Sequence, residues 1–166
     1  MTSKLVTFLA GIRRPAVDHL FLVYRGGTLL VHLSRTPGDE DSDLTASMFT
    51  AIDSFVNDAL RHRGGGHVRS IELTDYHVAM GRGRHTLLFI VYRGRESNRL
   101  ERHVEREARR LEDRHEDVLK AWDGDMDRVA GIRRDLERRW GLRDAGKGPR
   151  RIPAASVVTT PMRPAP

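Results

Sequence analysis

The feature that most constrains the fold is an apolar stretch at 17–24, in which apolar side chains occupy both alternating faces. A strand of this kind must be covered on both sides, which is typical of the centre of a sheet. Arg25, Gly26 and Gly27 follow, and glycine tolerates the positive φ that a tight turn requires. A second apolar stretch at 28–34 follows, and we expect it to form a strand that runs back alongside the first. The sequence therefore predicts a β-hairpin inside a layered domain.

Three further strands are predicted downstream. The stretch at 85–92 is the most apolar, with five consecutive apolar residues from Leu87 to Val91, and we expect it beside the first strand. Two shorter strands are predicted at 68–73 and 76–80, on either side of a polar turn.

Apolar residues at helical spacing predict four helices, at 4–13, 43–62, 97–122 and 126–140. After residue 142 the chain is rich in Gly, Pro, Thr and Arg and has no periodicity. The sequence thus predicts one α/β (α+β) domain over 1–142, with a C-terminal helix, followed by a disordered basic tail at 143–166.

The helix at 43–62 carries two apolar stripes. Leu44, Met48, Ala51, Ile52, Phe55 and Ala59 form the first, which we expect to pack on the sheet. A second stripe lies roughly 100° around the helix. Soluble monomers usually avoid an exposed apolar patch, so the second stripe predicts a partner interface, built from Phe49, Val56 and Leu60. Deeper burial of the whole helix is the alternative reading.

Charge is concentrated in the tail. The chain has 29 Lys and Arg against 23 Asp and Glu, a net charge of +6. Residues 141–166 hold five of these cations and a single carboxylate, so the preceding body is near neutral. That balance argues against a uniformly basic nucleic-acid-binding body. Lys147, Arg150 and Arg151 are candidate polyanion contacts of the tail.

Several chemical classes find no support in the sequence. Without cysteine there is no disulfide, thiolate metal site or cysteine nucleophile. Asp123, Asp125 and Asp127 are spaced as in a calcium loop, but Arg128 and Arg134 stand where that loop needs Gly and Glu. We expect these carboxylates to cap helices. No catalytic residue, metal ligand or cofactor is predicted.

No apolar run approaches the ~18 residues of a membrane span, and the N-terminus lacks a signal pattern. We therefore expect a cytoplasmic protein without a membrane span.

The element order and four stretches resemble the roadblock/longin superfamily of profilin-like α/β/α sandwiches, most of all its prokaryotic regulatory modules. The stretches are VDHLFLVYRGGTLLVHLSR, DLTASMFTAIDSFVNDAL, HTLLFIVYRG and VLKAWDGDMDRVAGI, which together span 17–132. The resemblance implies a five-stranded antiparallel sheet in the order 2-1-5-4-3, flanked by helices on both faces. It also implies a module without catalytic residues that forms dimers and serves as a platform, often for Ras-like small GTPases.

Two functional hypotheses follow. The first is a non-enzymatic, homodimeric scaffold or regulatory module, with a Ras-like small GTPase or another signalling protein as partner. The second is an adaptor that binds nucleic acid or another polyanion through its basic tail. A small-ligand sensor is a third reading, because related sandwich folds hold ligands against a sheet face.

Overall fold

The computed structural model describes residues 15–36 and 42–145. Its strands are β1 (Ala16–Tyr24), β2 (Thr28–Ser34), β3 (Ser70–Glu72), β4 (His77–Arg82), β5 (Thr86–Arg93) and β6 (Arg143–Asp144). Its helices are α1 (Ser42–Ala59), α2 (Asn98–Arg114), α3 (Glu116–Leu119) and α4 (Ala130–Trp140), with 3₁₀ turns at Arg61–Arg63 and Asp127–Val129. The predicted N-terminal helix at 4–13 lies outside the described residues.

The strands form one antiparallel sheet in the order β3-β4-β5-β1-β2-β6. The predicted order of the first five strands is confirmed. The two most apolar strands, β1 and β5, are neighbours in the middle of the sheet, where Phe21 pairs with Phe89. Both strands are thereby shielded from solvent by the rest of the sheet and by its two covered faces.

The sheet has six strands and not the predicted five. Arg143 and Asp144, expected to begin the tail, pair with Ser34 and Leu33 of β2. Asp144 also forms an ion pair with Arg133 of α4, at 3.0 Å. A two-residue strand is too short to show periodicity in a sequence, and only the neighbouring edge of β2 makes it a strand.

Two apolar layers lie on opposite faces of the sheet. On one face Leu20 and Leu22 of β1 are buried in a cluster with residues of α2, α3 and α4, namely Val104, Ala108, Leu111, Leu119, Ile132 and Leu136. On the other face Phe21 and Val23 are buried with Ala46 of α1. This alternation along β1 confirms the prediction of helices on both faces.

The long helix predicted at 97–122 is interrupted. Ser97 caps α2 by accepting a hydrogen bond from the N–H of Leu100 at 3.2 Å. The helix then ends at Arg114, and α3 begins after His115, whose φ of −125° departs from helical geometry. The turn is stabilised by packing onto the sheet, because Tyr24 donates a hydrogen bond to the carbonyl of Leu119 and its ring contacts Trp122. A continuous helical pattern does not reveal such tertiary contacts.

Candidate partner-binding surface

Helix α1 packs on the sheet through small and aromatic residues. Ala46 is fully buried, and the ring of Phe49 lies 5.3 Å from that of Phe89 and 6.4 Å from that of Phe21. Thr50 is half-buried on the same side and its hydroxyl bonds to the carbonyl of Ala46. Because Ala46 and Thr50 are small, the helix approaches the sheet closely here.

The structure reverses the predicted roles of the two stripes of α1. Phe49 belongs to the core and Val56 is half-buried, while Leu60, 37% exposed, covers Gly66. Phe49 therefore packs on the sheet and not on the free face, whereas Leu60 stays exposed at the surface. The sheet face beneath α1 already carries the large side chains of Phe21, Phe89 and Met80. It therefore has room for the smaller residues of α1 but not for the larger side chains of the first stripe.

A buried carboxylate sets the rotation of α1 about its axis. Asp53 is only 2% exposed, accepts a hydrogen bond from the N–H of Val68 and pairs with the guanidinium of Arg82 on β4. His67 adds a weaker contact, with its Nδ1 3.9 Å from the carboxylate. A buried carboxylate needs such partners, so this face of α1 is held against β4. Asp53 was not predicted from the sequence. The only feature that distinguishes it there is its helical spacing from Ala46 and Phe49, which places it on the same side of α1.

The opposite side of α1 is an apolar surface open to solvent. Four large side chains three or four residues apart lie along it, with exposed fractions of 57% for Leu44, 56% for Met48, 40% for Ile52 and 73% for Phe55. We call these four residues the α1 stripe. A contiguous exposed patch of this kind marks an interaction site more often than an ordinary surface.

An open cleft of about 740 Å³ lies at the edge of the sheet, beside the start of β3 and the end of β4. Its walls include Asp53 from the α1 side and Arg109 and Asp113 from the α2 side. Several of its charges already have partners, such as Arg109 with Glu105 at 2.8 Å. The buried carboxylates of the cleft, Asp53 and Glu112, are engaged in contacts that hold the fold together.

Glu112 is the clearest such group. It is 6% exposed and its carboxylate accepts hydrogen bonds from the backbone N–H of Arg84, His85 and Thr86, as well as from the hydroxyl of Thr86. These bonds tie the β4–β5 turn to α2. Sequence analysis missed this residue, because one glutamate among many on a charged helix carries no distinguishing signal.

The aspartates at 123–127 hold the turn that precedes the 3₁₀ turn at Asp127–Val129, and they do not occupy the N-caps of the following helices, which are Met126 and Val129. Asp123 accepts a hydrogen bond from the N–H of Asp125, and Asp125 accepts one from the N–H of Asp127. The first bond and the neighbouring Arg128 lower the pKa of Asp123. Among the described residues, no three His, Asp or Glu side chains are grouped to hold a metal ion.

The candidate polyanion contacts Lys147, Arg150 and Arg151 lie outside the described residues. Within residues 15–36 and 42–145, no helix is long and apolar enough to cross a membrane.

Comparison with known proteins identifies the fold. No protein-family model matches the sequence, and no curated protein matches it. Among solved structures, a Roadblock/LC7 domain from Streptomyces avermitilis matches over 62% of this chain and 88% of that chain, with a TM-score of 0.51 and 18% identity. The chain has a roadblock/longin-like fold. The family resemblance seen in the sequence is thus confirmed at the level of the fold.

Two further solved structures are similar to this chain over much of their length. MglB of Myxococcus xanthus is 20% identical, covers 55% of this chain and 76% of its own, and has a TM-score of 0.47. The gliding protein MglB of Thermus thermophilus is 13% identical, covers 79% and 88%, and has a TM-score of 0.42. At these levels of identity the likeness concerns the fold alone.

Proposed function

We propose that this protein is a non-enzymatic regulatory module that forms a homodimer through the α1 stripe. The exposure of Leu44, Met48, Ile52 and Phe55 on one side of α1 is the observation that carries the proposal. Burying an apolar side chain contributes roughly 1.5–3 kcal/mol, so four per subunit contribute enough to sustain an interface. A stripe along a helix is also compatible with a dimer of two-fold symmetry, because in such a dimer the same surface of each subunit contacts the other.

The polar groups of the described residues support a non-enzymatic role. Those that are grouped and buried are engaged in holding the fold: Asp53 with Arg82 and Val68, and Glu112 with the β4–β5 turn. A general base or nucleophile needs a polar atom directed at a substrate. These carboxylates are instead directed at the protein's own backbone and arginines.

The partner we propose is a Ras-like small GTPase. Its support is the resemblance of the sequence to prokaryotic roadblock/longin regulatory modules, which often serve as platforms for such GTPases. The sheet and the α1 stripe would provide the platform, with the two subunits presenting a pair of equivalent surfaces.

Light scattering on the full chain tests the dimer. We expect the wild type to be a dimer and the Met48→Ser/Phe55→Ser variant to be a folded monomer, because both side chains are more than half exposed. The matched control is Phe49→Ser/Val56→Ser, which removes apolar side chains from the sheet side of the same helix. This control should lose several kcal/mol of folding stability. A monomeric wild type, or a dimeric Met48→Ser/Phe55→Ser variant, would overturn the interface.

The partner is tested separately, by titrating the purified dimer with Ras-like small GTPases of the source organism in their GTP-bound and GDP-bound forms. Binding that prefers one nucleotide state supports the regulatory role. A confirmed dimer that binds none of them in either state would remove the GTPase from the proposal and leave the interface intact.

A further inference from the structure

The outer side of α2 carries a row of unpaired arginines. Arg99, Arg102, Arg106 and Arg110 are all exposed, and their spacing places them within an arc of about 80° at ~100° per residue. Along the helix they extend over about 16 Å, at ~1.5 Å per residue. Among residues 15–36 and 42–145, none of the four side chains has a hydrogen-bond or ion-pair partner. We call them the α2 arginine row.

All but one of the carboxylates of α2 lie off the arc of the row. Glu107 and Glu112 are buried at 2% and 6% exposure, and Glu105 is paired with Arg109. Asp113, at the last turn, is the one carboxylate of this helix on the same arc as the row. Folding therefore separates charges that are mixed in the sequence, and it creates a basic surface on a body that is close to neutral overall.

The row is unfavourable for the isolated protein. Successive members are three or four residues apart, and like charges at these spacings on a helix destabilise it. An anionic partner would relieve the repulsion, so the row is suited to contact one.

The surroundings of the row indicate which anionic partner fits. None of the large exposed apolar side chains of the described residues lies on α2. A protein interface has an apolar centre and a membrane-binding helix inserts apolar residues into the bilayer, so neither matches this surface. The one exposed aromatic ring between Arg99 and Arg110 is that of His103, which packs against Trp140 with centroids 5.4 Å apart and so is engaged within the protein instead of stacking on unpaired bases. What remains is the phosphate backbone of a duplex, which guanidinium groups bind in a bidentate geometry.

We propose that the α2 arginine row binds the phosphate backbone of duplex nucleic acid without sequence specificity. This inference goes beyond the regulatory module and does not depend on the dimer. Helix α2 covers the face of the sheet opposite α1, so nucleic acid and a second subunit can be bound at the same time. The contact is electrostatic and therefore strongly dependent on salt.

Fluorescence anisotropy with a labelled DNA duplex of about 20 base pairs, at salt concentrations from about 25 to 200 mM, tests the proposal. The logarithm of the binding constant should fall linearly with the logarithm of salt concentration, by about 0.9 per phosphate contacted. The variant Arg99→Gln/Arg102→Gln/Arg106→Gln/Arg110→Gln should therefore have a slope smaller by about 3 to 4. Its melting temperature should be equal to or above that of the wild type, because the repulsion is gone.

Two matched variants make the result specific. Arg25→Gln/Arg61→Gln/Arg69→Gln/Arg84→Gln removes the same charge from exposed arginines outside α2, and it should retain most of the wild-type slope. Lys147→Gln/Arg150→Gln/Arg151→Gln removes the candidate contacts of the tail and should also retain most of it. The proposal is overturned if the α2 variant keeps the full slope or if either control loses as much as the α2 variant. It is also overturned if the wild type binds phosphatidylserine vesicles as tightly as DNA and through the same arginines, which would make the partner a membrane.

Discussion

At the scale of single residues, His32 shows how burial changes the chemistry of an ordinary side chain. Its ring is stacked on Phe21, with centroids 4.4 Å apart and planes inclined by 6°. Burial, helped by the positive charge that neighbouring His19 can carry, lowers the pKa of His32 from 6.5 to about 4, although Asp144 acts weakly in the opposite direction. The folded protein therefore holds this imidazole in its neutral form near pH 7.

This shift predicts a pH dependence of stability. The folded-state pKa is below the unfolded-state value, so the unfolded chain binds the proton more readily and the contribution to stability is complete only above pH 6.5. It should be lost as pH falls from 6.5 towards 4. Urea unfolding at several pH values measures the effect. His32→Phe, which keeps a ring against Phe21, should flatten this part of the profile.

His62 provides the matched control for His32. It lies exposed in the 3₁₀ turn at Arg61–Arg63, so His62→Gln should leave the profile unchanged. If His32→Phe and the wild type lose stability in parallel between pH 6.5 and 4, the neutral imidazole of His32 is not the cause.

At the scale of elements, the contact between α2 and β4 depends on a glycine. A Cβ added at Gly81 would lie 2.5 Å from the carbonyl oxygen of Val104 on α2, and 3.1 Å from the Cβ of Ala108. The helix can lie this close to the strand only because Gly81 has no side chain. The position is therefore determined by packing and not by backbone conformation.

Gly81→Ala should destabilise the protein by about 1–3 kcal/mol, since the added methyl group forces α2 away from the sheet. Gly131→Ala is the control, because an added Cβ there meets no atom within 4 Å. In α4 that change should stabilise the protein by roughly 0.5–1 kcal/mol through helix propensity. Urea unfolding measures both. Two variants that shift stability in the same direction would contradict the close packing of α2 on β4.

At the scale of the whole molecule, β6 is the last strand of the sheet among the described residues. The sequence predicts a domain that ends at 142, but Arg143 and Asp144 extend the sheet and Asp144 is paired with Arg133. Deleting these residues removes strand hydrogen bonds and an ion pair, each contributing about 1 kcal/mol or less.

A chain that ends at Ala145 should therefore melt at the same temperature as the full chain, whereas one that ends at Leu142 should be less stable by about 1–2 kcal/mol. Calorimetry on the three chains measures the difference. Equal melting of all three would show that β6 adds nothing to the domain, as the predicted boundary implied.

Much of the fold was accessible from the sequence, because strands are recognisable when they are apolar on both faces. The stretch at 17–24 and the run from Leu87 to Val91 lie in the two central strands and are buried over most of their length, as predicted. The turn between β1 and β2 also follows from its residues, since Gly26 and Gly27 have φ values of 96° and 94°. The candidate sites were less accessible, because they depend on how helices are oriented on the sheet.

The sequence by itself determined where the first five strands and most of the helical segments lie, since side-chain pattern and turn residues act locally, but not β6 or the break at His115. Only the tertiary structure decided which stripe of α1 faces the sheet and which side of α2 carries unpaired charge. Helical periodicity defines the angle between two stripes but not which of them is turned inward. That choice depends on the volume left by Phe21 and Phe89 and on the burial of Asp53 against Arg82, contacts between residues far apart in the chain.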